Sequence, residues 1–138
     1  MMIKPAGMND RDTIHAMIND RGFEIIRAQK KILSPREVWY MYDHVFLETF
    51  RHSKFKGEEF FSKYMKYMTT LESELLIVGN FGEIDFYKEA INLRGHHYKG
   101  FACSKDTIRG RFLGEDFLNS FHASKNDEEA KKHIKLFY

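Results

Sequence analysis

Residues 117–126 read FLNSFHASKN, and this stretch decides how the chain ends and where its chemistry lies. The apolar side chains at its start predict a short final strand over Phe117–Phe121. Asn126 is typical of the residue that caps a helix, and Glu129 follows it at the spacing of a capping box. The stretch therefore predicts a strand, a polar turn that presents His122, and a terminal helix over Asn126–Phe137.

Upstream of this stretch, strands and helices alternate. Pro5 stops a short strand at 2–4, and Gly22 stops a helix with Asn9 or Asp10 as its cap. The sequence SPRE at 34–37 is a strong helix start, because Ser caps, Pro takes the first position and Glu the third. The other predicted elements are a strand at 23–33, a basic break at 51–57, a helix carrying Phe61 to Met68, a strand at 74–78, a helix ending near Gly95 and a loop at 95–106.

This order of elements predicts an α+β fold of the ferredoxin-like βαββαβ type, with a four-stranded antiparallel sheet and additional helices. The chain has 138 residues, which is enough for one domain with a substantial core, and we place that domain at residues 1–138. Because many functions share this fold, the function has to be argued from the site.

The composition narrows the class of protein. Acidic and basic residues are interspersed and the net charge is only +2, which gives no argument for a membrane surface or for sequence-specific nucleic acid as the partner. The single cysteine, Cys103, fits a reducing compartment. No apolar run approaches the roughly 20 residues that span a bilayer, and the start lacks the apolar stretch of a signal peptide. These observations are compatible with a cytosolic, a nuclear or a virion location, and of these we expect a cytoplasmic one.

His122 is the candidate nucleophile. A phosphoryl group can be transferred to an imidazole nitrogen, which divides one transfer into two in-line steps. The ring must be neutral to attack, and with an unperturbed pKa of about 6.5 much of it is neutral at physiological pH. The competing interpretation is a histidine that is simply satisfied within a turn. Neighbouring Asn119 and Ser124, together with an arginine turn at 107–111, favour the phosphoryl interpretation.

Four other side chains suit a nucleotide. Arg109 lies in a Thr-Ile-Arg-Gly turn, and a guanidinium can bind phosphate through two hydrogen bonds. Lys4 follows a strand and precedes a glycine turn, so its ammonium could meet a terminal phosphate or a ribose hydroxyl. Asn119 can hydrogen-bond a sugar hydroxyl, and Phe60 offers a flat face for a base. The ordinary alternatives are solvated cations, a turn asparagine and a core aromatic.

These blocks resemble the nucleoside diphosphate kinase family. The resemblance rests on the Lys-Pro-x-Gly start at 4–7, the Thr-Ile-Arg-Gly turn at 107–110 and the Asn-x-x-His-Ala-Ser block at 119–124. Residues 21–26, 60–68 and 130–138 also resemble the family, so the likeness spans nearly the whole chain. It implies transfer of the terminal phosphate of a nucleoside triphosphate to a nucleoside diphosphate by a ping-pong route.

The resemblance also implies a role for each site residue. His122 would be the phosphorylated nucleophile, Lys4 and Arg109 would hold phosphates, and Asn119 with Lys4 would meet the sugar 3′-hydroxyl. Phe60 corresponds to the residue that stacks on the base. Two further positions lie beside the active histidine in the family, Tyr42 and Ser124. Magnesium would bridge the phosphates, and the family implies a homo-oligomer built from dimers.

Several positions depart from the family pattern. The chain has an insertion between Tyr42 and Phe60, and Glu58 stands where the family usually has an arginine that contacts phosphate. His133 stands where the family has a glutamate that supports the active histidine. Basic side chains that could replace the altered phosphate contacts are Lys54, Lys56, Arg94 and Lys99. Of these, we place Arg94 with the nucleotide-binding residues.

Two alternatives stay open at this point. A kinase-like domain could bind nucleotide or a protein partner with weak or no turnover. Two histidines and the cysteine at 96, 97 and 103 could also be read as metal ligands, but their spacing matches no standard zinc pattern, so we predict no metal held by the protein itself.

Overall fold

The structure is a computed structural model that describes residues 1–80, 82, 85–95, 104–112, 114 and 118–138. Six residues that the sequence predictions involve lie outside this set: Ile84, His96, His97, Lys99, Cys103 and Phe117. The strands are β1 (Met2–Ile3), β2 (Phe23–Lys31), β3 (Ser73–Asn80) and β4 (Phe121–His122). The helices are α1 (Arg11–Asp20), α2 (Pro35–His52), α3 (Lys54–Thr70), α4 (Phe86–Arg94), α5 (Ile108–Arg111) and α6 (Asp127–Ile134), with 3₁₀ turns at Pro5–Asp10 and Lys135–Phe137.

The four strands form one sheet in the order β2-β3-β1-β4, and every neighbouring pair is antiparallel. In β1, Met2 lies opposite Leu75 on one side and His122 on the other. The short first strand thus joins the long antiparallel pair β2 and β3 to the strand that carries the candidate nucleophile. The predicted α+β, ferredoxin-like plan is confirmed.

The sheet has a hydrophobic core on each face, which follows from the two-residue period of a strand. Met2 and Leu75 belong to a cluster with α2 and α3, whereas their neighbours Ile3 and Leu76 belong to a cluster with α1 and α4. Both cores are fully buried at their centres; Phe46 and Ile14, for example, are 0% exposed. Adjacent residues of one strand therefore face different helical layers.

Helix boundaries that were predicted from a capping box or a terminal glycine are confirmed at Ser34, Gly22 and Gly95. The hydroxyl of Ser34 accepts a hydrogen bond from the backbone N–H of Glu37, and the Glu37 carboxylate accepts one from the Ser34 N–H at 2.8 Å, which is the predicted capping box. Gly22 and Gly95 take φ values of 83° and 86°, the left-handed region that glycine tolerates, just after α1 and α4 end.

The predicted break over 51–57 is wrong. Helix α2 continues to His52, Ser53 alone separates it from α3, and the Ser53 hydroxyl caps the new helix by accepting a hydrogen bond from the N–H of Lys56. Gly57 lies within α3 and is buried, because the side chain of Phe50 packs directly on it. Gly57, the last residue of the predicted break, instead allows two helices to approach closely.

The end of the chain also differs in detail from the prediction. The last strand is Phe121–His122 rather than 117–121, and Leu118 to Ser120 are not strand. The terminal helix ends at Ile134 and continues as a 3₁₀ turn. Asn126 caps this helix as predicted, but the carboxylate of Glu129 accepts its hydrogen bond from the N–H of Lys125, not from that of Asn126. The strand β2 stops at Lys31, before the predicted Leu33.

Among the described residues, the helices are too short or too polar to cross a bilayer.

Replacing Gly57 with alanine should destabilise the protein. Helix propensity alone would favour alanine by about 1 kcal/mol. A Cβ at Gly57 would, however, lie 2.8 Å from a ring carbon and 2.9 Å from the Cα of Phe50. Overpacking of this kind costs about 1–3 kcal/mol, so we expect a net loss measured by urea unfolding. Ser62→Ala, at an exposed position of the same helix, is the matched control and should be neutral or slightly stabilising. Stabilisation by Gly57→Ala would contradict the close helix contact.

Candidate active site

His122 lies in the edge strand β4, where that strand pairs with β1. Its neighbour Phe121 packs into the core formed with α1 and α4, so strand alternation places His122 on the opposite face. There its ring meets Tyr42 edge to face, with the ring centroids 5.7 Å apart. Only 8% of His122 is exposed, so the strand presents a nearly buried imidazole.

The two ring nitrogens of His122 have different surroundings. Nε2 lies 3.3 Å from Nδ1 of His133 and 3.9 Å from a carboxylate oxygen of Glu129. Nδ1 makes no hydrogen bond to any residue in the part of the chain that the structure describes. If Nε2 carries the proton and donates it to His133, the lone pair on Nδ1 is available to a ligand.

Both imidazoles are held in the neutral form. Burial lowers the pKa of His122 well below the usual histidine value, and His133, Lys4, the N-terminal amine and Arg109 act in the same direction. The pKa of His133 is lowered to about 4, again chiefly by burial. A neutral ring is the state that can attack phosphorus or accept a hydrogen bond.

Lys4 is the most unusual cation in the site, because it is only 2% exposed. Its ammonium donates hydrogen bonds to the Tyr64 hydroxyl at 2.8 Å and to the Asn119 side-chain oxygen at 3.0 Å. It also lies 5.2 Å from the ring centre of Tyr42. Burial lowers the pKa of Lys4 well below its usual range, and the charges of Arg109 and Arg94 lower it further. The ammonium is thus positioned where an anionic ligand would stabilise its charge.

A second set of hydrogen bonds holds the segment before His122 against the turn after β1. The Lys4 N–H donates to the Ser120 carbonyl at 2.9 Å. The Tyr67 hydroxyl accepts a hydrogen bond from the Ala6 N–H at 2.8 Å and donates one to the Asn119 carbonyl at 3.1 Å. These contacts fix Asn119 and Lys4 relative to each other, as the prediction that they share a sugar hydroxyl requires.

Arg109 reaches the site from the short helix α5. The Thr107 hydroxyl caps this helix by accepting a hydrogen bond from the Gly110 N–H, so the predicted turn is one helical turn. The Nε of Arg109 donates to the Phe121 carbonyl at 2.9 Å, next to His122, and the residue is 7% exposed. The guanidinium is therefore tied to the strand that carries the histidine.

Tyr42 on α2 and Phe60 on α3 line one side of the candidate site. Tyr42 is buried against Tyr64, and burial raises the pKa of its hydroxyl above the usual tyrosine value. Phe60 is partly buried, lies parallel to Tyr64 at 5.5 Å between ring centroids, and packs on Phe46. One face of the Phe60 ring thus packs in the hydrophobic core. Its stacking on a nucleotide base stays a prediction.

Ser124 and Arg94 complete the predicted set. The Ser124 hydroxyl lies 3.3 Å from Nδ1 of His133, the same nitrogen that faces Nε2 of His122. Arg94 ends α4, and its Nε donates to the Gly95 carbonyl at 3.1 Å. Its charge lowers the pKa of Lys4, which places it within electrostatic range of the site. The described residues among the predicted site residues therefore converge on one region.

Two other predicted replacements do not reach this region. Lys54 and Lys56 are exposed at the start of α3. Because a helix rises about 1.5 Å per residue, Lys54 lies about 15 Å along the axis from Tyr64, which contacts Lys4. Glu58 is exposed on the same part of the helix. The segment between Tyr42 and Phe60, where the insertion is predicted, forms the end of α2 and the start of α3. Lys99 lies outside the described residues.

Three functional side chains escaped the sequence analysis. From the sequence, Tyr64 is placed on the apolar face of a helix and Tyr67 is assigned no role, yet the hydroxyl of Tyr64 accepts a hydrogen bond from Lys4 and that of Tyr67 donates one to the Asn119 carbonyl. Glu129 was counted as a cap, yet one carboxylate oxygen faces His122. The available signals were two tyrosines three residues apart on one helix, and Glu129 and His133 four residues apart on another, since such spacings place side chains on one face.

Comparison with known proteins identifies the family. A family model described as nucleoside diphosphate kinase matches residues 1–138. The nucleoside diphosphate kinase of Methanocaldococcus jannaschii is 29% identical over 119 residues, which cover 86% of this chain and 75% of the relative.

Solved structures show the same fold. The apo nucleoside diphosphate kinase of Encephalitozoon cuniculi superposes with a TM-score of 0.78 at 24% identity, covering 99% of this chain and 84% of the other. That of Borrelia burgdorferi, a transition-state mimic with bound vanadate and ADP, gives 0.77 at 20% identity, covering 99% and 83%. From its sequence, fold and convergent site, the chain belongs to the nucleoside diphosphate kinase family of phosphotransferases.

Proposed function

We propose that the protein transfers the terminal phosphoryl group of a nucleoside triphosphate to a nucleoside diphosphate through a phosphohistidine on His122. The observation that carries this proposal is the asymmetry of the His122 ring. Nε2 faces His133, whereas Nδ1 makes no hydrogen bond to the described residues and lies in the same buried region as the cations Lys4 and Arg109. A nucleophile beside positive charge suits an anionic phosphorus substrate.

The transfer has two balanced halves. In the first, the Nδ1 lone pair forms a bond to the terminal phosphorus, the bond from that phosphorus to the bridging oxygen breaks, and the nucleoside diphosphate leaves with the electron pair. In the second, a terminal oxygen of another nucleoside diphosphate attacks the same phosphorus. The phosphorus–nitrogen bond breaks and the imidazole regains its lone pair. The protein supplies position and charge rather than further covalent chemistry.

The cations supply that charge. Arg109, held by the Phe121 carbonyl, binds phosphate oxygens and stabilises the charge that accumulates during transfer. Lys4 donates hydrogen bonds to Tyr64 and Asn119 in place of water. Its ammonium is therefore oriented before the nucleotide binds. Arg94 adds a third positive charge at longer range. Preoriented donors are effective because they need little reorganisation when the reaction occurs.

The remaining site residues orient the substrate and the ring. Asn119 and Lys4 hydrogen-bond a sugar hydroxyl, and Phe60 packs against the base. Tyr42 packs on the His122 ring and limits its rotation. Ser124 sits beside His133 and helps to hold the imidazole that accepts the hydrogen bond of His122. In this account only His122 forms a covalent bond to substrate.

Magnesium would come with the nucleotide. Mg²⁺ prefers oxygen ligands in octahedral geometry, and the only three-membered ligand group among the described residues contains two imidazoles. Phosphate oxygens and water would hold the ion, with Lys4 and Arg109 sharing the phosphates. When bound, the ion would neutralise phosphate charge.

The partners in this proposal are nucleoside di- and triphosphates. We also expect a homo-oligomer and a cytoplasmic location, which the family resemblance and the single cysteine support. No role for a membrane or for sequence-specific nucleic acid is proposed.

A kinase-like domain that binds nucleotide with weak turnover is the second candidate. The observation in its favour is that Lys54 and Lys56, the predicted replacements for altered phosphate contacts, are exposed and distant along α3. Nucleotide binding without phosphoenzyme formation would select this candidate.

Incubation with Mg²⁺ and ATP labelled on its terminal phosphate should give an acid-labile, base-stable phosphoprotein. Addition of GDP should move the label to GTP, because the phosphohistidine is an intermediate and not an end product. In His122→Ala we expect the label to be lost completely, measured by filter binding and chromatography of the nucleotides.

His52→Ala removes an exposed histidine at the end of α2 and is the matched control, which should be labelled like the unaltered protein. Label that persists in His122→Ala would disprove the assignment of the nucleophile. Absence of label in the unaltered protein, at concentrations where nucleotide binding is measured, would support the binding domain instead.

Nucleotide binding should be accompanied by proton uptake on Lys4. In the free protein, burial and nearby arginines lower the pKa of Lys4, and a bound phosphate would raise it again. Between these two pKa values the free protein lacks a proton that the complex holds, so binding takes one up. Calorimetry in buffers of different ionisation enthalpy, repeated across pH, measures this uptake.

Lys4→Arg is the control for this measurement, because a guanidinium stays charged throughout and has no proton to gain. We expect the uptake to peak at a pH below the normal lysine pKa of about 10.4 in the unaltered protein and to disappear in the variant. Equal proton uptake in both proteins would show that another group is responsible.

A further inference from the structure

His122, Glu129 and His133 form a compact group of potential metal ligands. One ligand atom from each residue lies within 4.8 Å of the others. Two of the separations are known individually, 3.3 Å between the imidazole nitrogens and 3.9 Å from His122 Nε2 to the Glu129 oxygen. Glu129 and His133 are four residues apart on α6, so one helix face presents both to the strand that carries His122.

The separations suit a tetrahedral ion. With metal–ligand bonds of about 2.0–2.1 Å, two ligands of a tetrahedral site lie about 3.3–3.4 Å apart. The imidazole pair already has this spacing. The Glu129 oxygen lies 3.9 Å from His122 Nε2 and within 4.8 Å of the His133 ligand atom, so the carboxylate has to move toward both rings to complete the site. Three protein ligands leave a fourth position for water or for the Ser124 hydroxyl, which lies 3.3 Å from His133 Nδ1.

The Glu129 carboxylate is already oriented for this role. Its Oε2 accepts a hydrogen bond from the Lys125 N–H at 2.7 Å, while Oε1 is the oxygen nearer His122. The helix start is held in turn by the Asn126 side chain, which accepts from the Glu129 N–H at 2.9 Å. An outer hydrogen bond of this kind fixes the direction of a ligating carboxylate. An open depression lined by His44, Glu129, Lys132 and His133 leads to the group from solvent.

We propose that His122, Glu129 and His133 form a site for a divalent transition-metal ion such as Zn²⁺. The two imidazoles favour Zn²⁺ and its neighbours in the first transition row over Mg²⁺, which takes oxygen ligands, and two imidazoles with one carboxylate are a ligand set that Zn²⁺ uses. This site is separate from any magnesium that a nucleotide carries, because it lies on the Nε2 side of His122 and not on the Nδ1 side.

Metal binding and phosphoryl transfer require opposite tautomers of His122. A metal bound to Nε2 takes the lone pair of that nitrogen, so the proton of the neutral ring resides on Nδ1. Attack on phosphorus needs the lone pair on Nδ1, with the proton on Nε2 donated to His133. A bound ion therefore holds the ring in the tautomer that cannot attack. This consequence rests on the proposed function, whereas metal binding itself does not.

The test is a titration of the metal-free protein with Zn²⁺ alone, followed by calorimetry and by thermal unfolding. We expect one ion per chain and a higher unfolding temperature, since a ligand that binds only the folded state stabilises it. Glu129→Gln and His133→Asn should each weaken binding at least about tenfold, because even changes outside the ligand shell cost about 10–100-fold. His52→Ala should bind like the unaltered protein.

Glu129→Gln conserves the shape of the side chain, so this variant should fold normally. It therefore tests the metal site even if His133→Asn folds poorly. Equal Zn²⁺ affinity in the unaltered protein, Glu129→Gln and His52→Ala would overturn the site, as would a stoichiometric ion that excess Mg²⁺ displaces.

Inhibition is tested separately. Protein loaded with one Zn²⁺ and freed of excess ion should form the phosphoenzyme at least about tenfold more slowly than metal-free protein, and this ratio should approach one in Glu129→Gln. An unchanged rate in the loaded protein would overturn the tautomer argument. Failure of the metal-free protein to form phosphoenzyme would instead count against the proposed function, while the titration still decides the metal site.

Discussion

The site depends on the burial of one ammonium group. Lys4 has lost almost all contact with solvent, and a charge in that position is costly unless hydrogen-bonded partners surround it. Its partners come from distant parts of the chain, Tyr64 on α3 and Asn119 in the segment before β4. The ammonium therefore joins the N-terminal strand, the helical hairpin and the histidine strand in one arrangement, and a change in any of them alters the other two.

The same arrangement explains why so little regular strand is needed. Strands β1 and β4 are two residues each, yet His122 is nearly buried and oriented. The Lys4 N–H to Ser120 carbonyl bond and the Tyr67 bridge between Ala6 and Asn119 extend the pairing beyond the strands. Arg109 adds a further link through the Phe121 carbonyl. The geometry of the candidate site is thus held by side-chain hydrogen bonds as much as by the sheet.

Much of the fold could be predicted because its signals are local. The capping box at Ser34, the glycine after α1 and the alternation of strands and helices each depend on a few neighbouring residues. The break predicted over 51–57 is wrong because a run of basic residues that ends in glycine does not show, from the sequence alone, that Phe50 packs on Gly57 within a helix. The final strand was displaced because its two residues are specified by pairing with β1, which no local pattern shows.

The candidate site divides in the same way. Short motifs of the family contain four of the site residues, His122, Lys4, Arg109 and Asn119. These residues could therefore be predicted from the sequence before the structure showed that they lie close together. The roles of Tyr64 and Tyr67 could not be assigned from the sequence. The position of a tyrosine on a helix can predict that its ring is buried, but it does not identify the hydrogen-bond partner of its hydroxyl. The proximity of His133 and Glu129 to His122 follows from the packing of α6 against β4, and the distances between these side chains show which groups face the ring.

The central claim is that the surroundings of His122 leave one ring nitrogen for phosphorus and commit the other to His133. Nitrogen-15 and phosphorus-31 NMR of the phosphorylated protein identifies the nitrogen that carries the phosphoryl group. The account predicts phosphorylation of Nδ1 of His122, with Nε2 protonated. A phosphoryl group on Nε2, or on any other residue, would contradict it.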